Sequence, residues 1–138
     1  MPTAILALER DLFFSVKIRD TLRHHDMLVT TVRTLPGFEQ ALSVASGELP
    51  ALVIINIASK GVDWEAAIRE ARARQVPVLT FGSHMDLEAR QKALDAGAQK
   101  VVANSKFTRD MPALIQRLLA NPTPPLNVAA DDEDFHED

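Results

Sequence analysis

The chain has 138 residues, 46% of them apolar, 25% charged and 5% aromatic, the make-up of one globular domain of α/β or α type. The absence of cysteine excludes a disulfide scaffold, a thiolate metal site and a cysteine nucleophile. Nineteen acids against 15 bases give a net charge of −4, yet residues 131–138, DDEDFHED, hold six of those acids, so residues 1–130 carry 13 acids and 15 bases, about +2. Runs such as ALVIINI are far shorter than the roughly 20 residues that span a bilayer. The start MPTAILALERD lacks a basic stretch followed by a long apolar one. A cytoplasmic protein without membrane contact is expected.

Five apolar runs follow one another: Ala4 to Leu8, Met27 to Val32, Ala51 to Ile57, Val76 to Phe81 and Lys100 to Asn104. The first, third and fifth are nearly continuous, as strands buried on both faces of a parallel sheet are, whereas the second alternates and fits an edge. Between them lie helical spacings with recognisable ends. Asp11 caps a first helix whose inner face holds Phe14, Ile18 and Leu22, widened by Phe13 and Val16. Phe38, Ala41, Leu42 and Ala45 make a short second helix after a Pro36-Gly37 turn, ended by Ser46-Gly47. Asp63 opens a third, with Ala67, Ile68 and Ala71 inward and Arg69, Arg72 and Arg74 toward solvent. Asp86 caps a fourth that stops at Gly97, and Thr108 or Asp110 starts a fifth, with Pro112 in its first turn. The strand and helix alternation predicts a single doubly wound (βα)5 sandwich, flavodoxin-like, with parallel strand order 2-1-3-4-5, over residues 1–120. Residues 121–138, proline-containing and then acidic, read as a disordered tail.

Ligands of such a sheet collect beyond the carboxyl ends of the strands. Along the whole body, AILALERD, PALVIINIASKGVDW, PVLTFGS and ALDAGAQKVVANSKF follow one another in the order and spacing of the receiver domains of two-component response regulators, which the chain resembles. The run Ala93 to Ala98, A-L-x-A-G-A, is the most specific piece. The resemblance implies a phosphoacceptor Asp at the end of the third strand, where this chain has Asn56, and a pair of Mg²⁺-holding acids, where it has Glu9-Arg10 followed by Asp11. It places Gly82, beside Ser83, at the Thr/Ser position, Val101 at the aromatic switch position and Asn104 at the phosphate-binding Lys, with Lys106 as a displaced substitute. A neutral amide is not a usable phosphoryl acceptor, so the chain reads as a pseudo-receiver lacking phosphotransfer. Arg10, always protonated, is expected in the emptied metal pocket, pairing with Glu9 or Asp11 or donating to Asn56.

Other chemistry-bearing residues have plainer readings. His24-His25-Asp26 reads as a solvated helix end, Ser83 and His84 as a loop without an orienting acid, and Trp64 as a partly buried anchor of the third helix. No helix-turn-helix follows the body and no aromatic-basic interleaving marks an RNA-binding sheet, so nucleic acid is not an expected partner. The expected function is a non-catalytic, phosphorylation-independent protein-interaction module of bacterial signalling, with no catalytic residue, no metal and no cofactor. By resemblance, the surface of helix four, strand five and helix five binds signalling partners or a second copy, with Arg90, Lys100 and Arg109 as polar contacts. Phe135, set among acids, is a second candidate partner-binding residue. The alternative is a domain sensing a small ligand or anion in the strand-end crevice through Arg10, Asn56, Ser83, Asn104 and Lys106.

Overall fold

The β-branched and leucine-rich runs form strands and the capped segments between them form helices, as the computed structural model shows for residues 2–43 and 48–121. The strands are β1 (Thr3–Leu8), β2 (Met27–Val32), β3 (Leu52–Asn56), β4 (Val78–Gly82) and β5 (Lys100–Ala103). The helices are α1 (Leu12–Arg23), α2 (Leu35–Leu42), α3 (Trp64–Ala73), α4 (Leu87–Ala96) and α5 (Asn104–Ala120). All pairings are parallel and the sheet order is β2-β1-β3-β4-β5, the predicted doubly wound sandwich.

Every residue of β3 and β4 is buried, which fits their largely apolar make-up, Asn56 and Thr80 being the polar exceptions, while in edge strand β2 only Met27 is buried. Two cores flank the sheet. Leu6, Leu8, Val53 and Ile55 meet Phe38, Ile68 and Ala93 of α2, α3 and α4 on one face. Ile5, Ala7, Leu79 and Phe81 meet Ile18, Leu22, Phe107 and Ile115 of α1 and α5 on the other. There Phe81 and Phe107 stack with ring centroids 4.0 Å apart.

The caps read from sequence are those used. Asp11 accepts from Phe13 N and Phe14 N, Asp63 from Ala66 N and Asp86 from Ala89 N, and Gly97 ends α4 at φ +116°. Trp64 is half-buried and packs on the α3 side of the core, as expected.

Three expectations are corrected. Pro36 and Gly37 lie inside α2 instead of preceding it, because Thr34 is the N-cap, accepting from Gly37 N, and proline is tolerated in the first turn. Ala45, Ser46 and Gly47, assigned to the end of that helix, lie outside the described residues. α5 starts at Asn104, directly after β5. Phe107 and Met111, i and i+4, bury fully and hold an extra first turn on the core; Asp110, at φ −117° and ψ 17°, interrupts the helix two residues before Pro112. Phe13 and Val16 do not broaden the inner face of α1: they are 68% and 36% exposed, on the side opposite Ile18 and Leu22.

Candidate functional site

The sheet order reverses at β1, whose neighbours are β2 and β3. α1 and α2 therefore leave on opposite faces, opening a crevice at the carboxyl ends of β1 and β3. Glu9 follows β1 and Asn56 ends β3. Leu8 pairs with Ile55, so the two polar residues come side by side, 2% and 6% exposed. Asn56 Nδ2 donates to Glu9 Oε1 at 3.0 Å and Oε2 at 3.1 Å. Asn56 Oδ1 accepts from Ala58 N at 2.8 Å, and Glu9 Oε2 also accepts from Asp11 N at 3.0 Å. Only this orientation of the amide satisfies both of its ends. Burial raises the Glu9 pKa above its usual 4.5, and the hydrogen bonds from Asp11 and Asn56 oppose that rise.

Arg10 does not enter the pocket. It is exposed, and its Nη1 donates to Lys60 O at 2.9 Å, tying the end of β1 to the loop between β3 and α3, which turns at Gly61 with φ +76°. The expectation that Arg10 pairs with Glu9, Asp11 or Asn56 is corrected: the Glu9 oxygens already accept from amides and Asp11 Oδ1 is the α1 cap.

A cavity of about 490 Å³ is lined by Glu9, Arg10, Asp11, Phe14, Asn56, Ala58, Ser59, Lys60 and Asn104. The sequence singles out Glu9, Arg10, Asp11, Asn56 and Asn104. It misses Ser59 and Lys60, whose only signal is their place just after Asn56. Ser59 Oγ and Asn104 Oδ1 are buried and make no hydrogen bond among the described residues.

Gly82, Ser83, Val101 and Lys106 do not line this cavity. Gly82 is buried, and a Cβ there would stand 2.7 Å from Ile57 Cγ1, so Ile57 fills the space a larger residue would need. Ser83 is exposed and its Oγ accepts from Met85 N at 3.2 Å. Val101 is fully buried, paired with Thr80. Lys106 Nζ lies 3.7 Å from the Asp110 carboxylate, one helical turn along α5. Of the proposed partner contacts, Arg109 is exposed beside Asp110, Lys100 is half-buried and Arg90 is only 7% exposed. Arg90 is thus not an open surface contact, because it shares the buried side of α4 with Ala89 and Ala93. Phe135 lies outside the described residues.

The donor set does not suit Mg²⁺, which demands near-octahedral oxygen coordination. Both Glu9 oxygens accept N–H groups, Asp11 caps α1, and Asn56 turns its oxygen to Ala58. Among the described residues no three His, Cys, Asp or Glu side chains converge as a metal site, and no helix is long and apolar enough to cross a membrane.

Comparison with solved structures places this architecture among receiver domains. A response regulator from Chloroflexus aurantiacus superposes with a TM-score of 0.74 at 20% identity, over 88% of this chain and 100% of that one. The receiver domain of TorR, the TMAO respiratory response regulator, gives 0.76 at 17%, over 86% and 98%. The receiver domain of NtrX from Brucella abortus gives 0.74 at 17%, over 85% and 98%. The fold is therefore the receiver fold of two-component signalling. The transcriptional activator protein ExaE of Pseudomonas putida is 33% identical over 91 residues, 64% of this chain. The chain spans 42% of the length of that relative. No family model matches the sequence.

Proposed function

We propose that the chain is a pseudo-receiver: a non-catalytic module of bacterial signal transduction, acting in the cytoplasm, that binds protein partners without being phosphorylated. The observation that carries this reading is the Asn56–Glu9 pair. Where the receiver resemblance calls for a nucleophilic carboxylate beside metal-binding acids, a neutral amide donates both its contacts to the one buried acid. The lone pair of an amide nitrogen is delocalised into its own carbonyl and is not available to a phosphoryl donor, and the acid to which the amide donates is occupied by N–H groups where a cation would bind. The polar groups at the floor of the cavity are satisfied by one another, with no cation needed between them.

Incubation with a small acyl phosphate and Mg²⁺ tests the first half. Intact mass is expected to show no phosphoryl adduct on the wild type; an adduct on Asp11, Glu9 or any other pocket residue would overturn the reading. Asn56→Asp sets two carboxylates against each other and is expected to lose about 1–3 kcal/mol of stability, regained in part at millimolar Mg²⁺, as read by urea unfolding. For the second half, the face formed by α4, β5 and α5 is proposed as the partner surface, or as the contact of a homodimer, with Lys100 and Arg109 as its polar contacts. The double charge reversal Lys100→Glu, Arg109→Glu is expected to abolish co-isolation of the partner, or dimerisation in light scattering, while the chain keeps a folded circular dichroism spectrum. Unchanged association would count against this face.

A second reading rests on the unsatisfied Ser59 Oγ and Asn104 Oδ1 in the cavity. A small ligand offering both a donor and an acceptor, held at the rim by Arg10 and Lys60, would satisfy them. It is separated from the first reading by a ligand screen, because binding to the native state raises the melting temperature by mass action.

A further inference from the structure

Charge is divided across the sheet. α1 and α5, neighbours on one face, carry Lys17, Arg19, Arg23, Lys106, Arg109 and Arg117 against only Asp20 and Asp110. The three helices of the opposite face carry four bases and five acids. The basic face also bears an apolar surface the fold does not use. Leu12 and Phe13 are 70% and 68% exposed and Val16 36%; with Lys17, Asp20 and Thr21 they line an open hollow of about 620 Å³ on the outward side of α1. At 100° per residue these side chains point away from Ile18 and Leu22, so nothing in the core accounts for them. An apolar hollow on a basic helix fits an acidic peptide with an aromatic anchor.

The chain itself contains such a peptide. Residues 131–138, DDEDFHED, set Phe135 among six acids, and the segment leaves the molecule from the end of α5, on the basic face. Phe135 lies 14 residues beyond Asn121. At about 3.3 Å per residue this reaches about 46 Å, whereas returning along the 17 residues of α5 takes about 26 Å at 1.5 Å per residue.

We propose that residues 131–138 dock on α1 of their own chain, with Phe135 in the Leu12–Phe13–Val16 hollow and the flanking carboxylates facing Lys17, Arg19 and Arg23. The acidic segment then masks this surface, and any acidic-aromatic partner of α1 must displace it. This contact is on α1, which is not part of the α4–β5–α5 face, and does not depend on the pseudo-receiver reading.

The protein has no cysteine, so His136→Cys gives a single site for a nitroxide on the full chain. In dilute solution the amide resonances of Leu12 to Lys17 are expected to lose most of their intensity, and to recover in Phe135→Ala, in Phe13→Ser and at high salt. The proposal is overturned if α1 is not broadened preferentially, if another face is, or if the broadening survives Phe135→Ala. It is equally overturned if isotope-labelled chains without nitroxide, mixed with nitroxide-bearing chains, show the same broadening, since the contact would then join two copies.

Discussion

The Asn56 amide decides the character of the strand-end pocket because hydrogen-bond direction is not interchangeable. Its nitrogen can only donate, so it complements the Glu9 carboxylate that a second acid would repel. The arrangement still leaves Glu9 buried, and burial is the largest cause of its raised pKa. Below pH 4.5 Glu9 is protonated in both folded and unfolded chains and adds no pH dependence. Between 4.5 and the raised folded value the native state holds the extra proton, so stability falls as pH rises through that interval, and the full penalty persists above it. Urea midpoints of the wild type are expected to show this fall relative to Glu9→Gln, whose unfavourable amide-to-amide contact with Asn56 is a pH-independent offset. Parallel profiles for the two proteins would refute the assignment. Gly82 makes a companion case. A Cβ there meets Ile57 Cγ1 at 2.7 Å and Cδ1 at 3.2 Å, so restoring a hydroxyl residue by Gly82→Thr is expected to lose about 1–3 kcal/mol by overpacking. Combining it with Ile57→Ala should cost less than the two changes summed, a coupling readable in a double-mutant cycle.

Among the elements, the helices whose ends carry Asp or Gly were the most legible, because a cap is a local interaction fixed by a few consecutive residues. Asp11, Asp63, Asp86 and Gly97 each do what their position suggested. Asp11→Ala is expected to lose about 1 kcal/mol and to fray the first turn of α1, measurable by urea unfolding and by amide exchange at Phe13 and Phe14. At Gly97 the nearest obstacle to a Cβ is Arg72 Cγ at 2.8 Å, part of a flexible stem that can shift. The backbone at φ +116° is the stronger constraint, so Gly97→Ala is expected to lose at least about 1 kcal/mol even if Arg72 gives way. α5 was less legible. Pro112 pointed to a helix start near Asp110, but burial of Phe107 draws Asn104 to Arg109 into a helical turn of their own. That extra turn leaves Lys106 beside Asp110 instead of in the cavity. In α1 the error was of another kind: Phe13 and Val16 are apolar, and apolarity alone does not say which side of a helix faces a sheet.

Across the whole molecule, one sheet supports two cores, and the strands buried on both faces couple them. The aromatic stack of Phe81 on Phe107 belongs to the α1 and α5 side, whereas Trp64, the single tryptophan, packs on the α3 side. Phe107→Ala is expected to lose about 3–5 kcal/mol. If the sheet makes the domain cooperative, Trp64 fluorescence and far-ultraviolet circular dichroism will still report one common midpoint in that variant. Separate midpoints would show that the two faces unfold independently.

The sequence by itself determined the strand and helix alternation, most caps and the neutrality of the residue that ends β3, because apolar periodicity, capping chemistry and side-chain charge are local properties; the strand order followed from that alternation through the handedness of parallel crossovers. Only the tertiary structure decided where the charged groups point. Arg10 reaches Lys60 because the Glu9 carboxylate is already occupied from β3, 47 residues away in the chain. Arg90 is withdrawn from the surface, and Leu12, Phe13 and Val16 are left on it. Those outcomes depend on which element packs against which, and a side chain's partner across the sheet is not encoded in its neighbours along the chain.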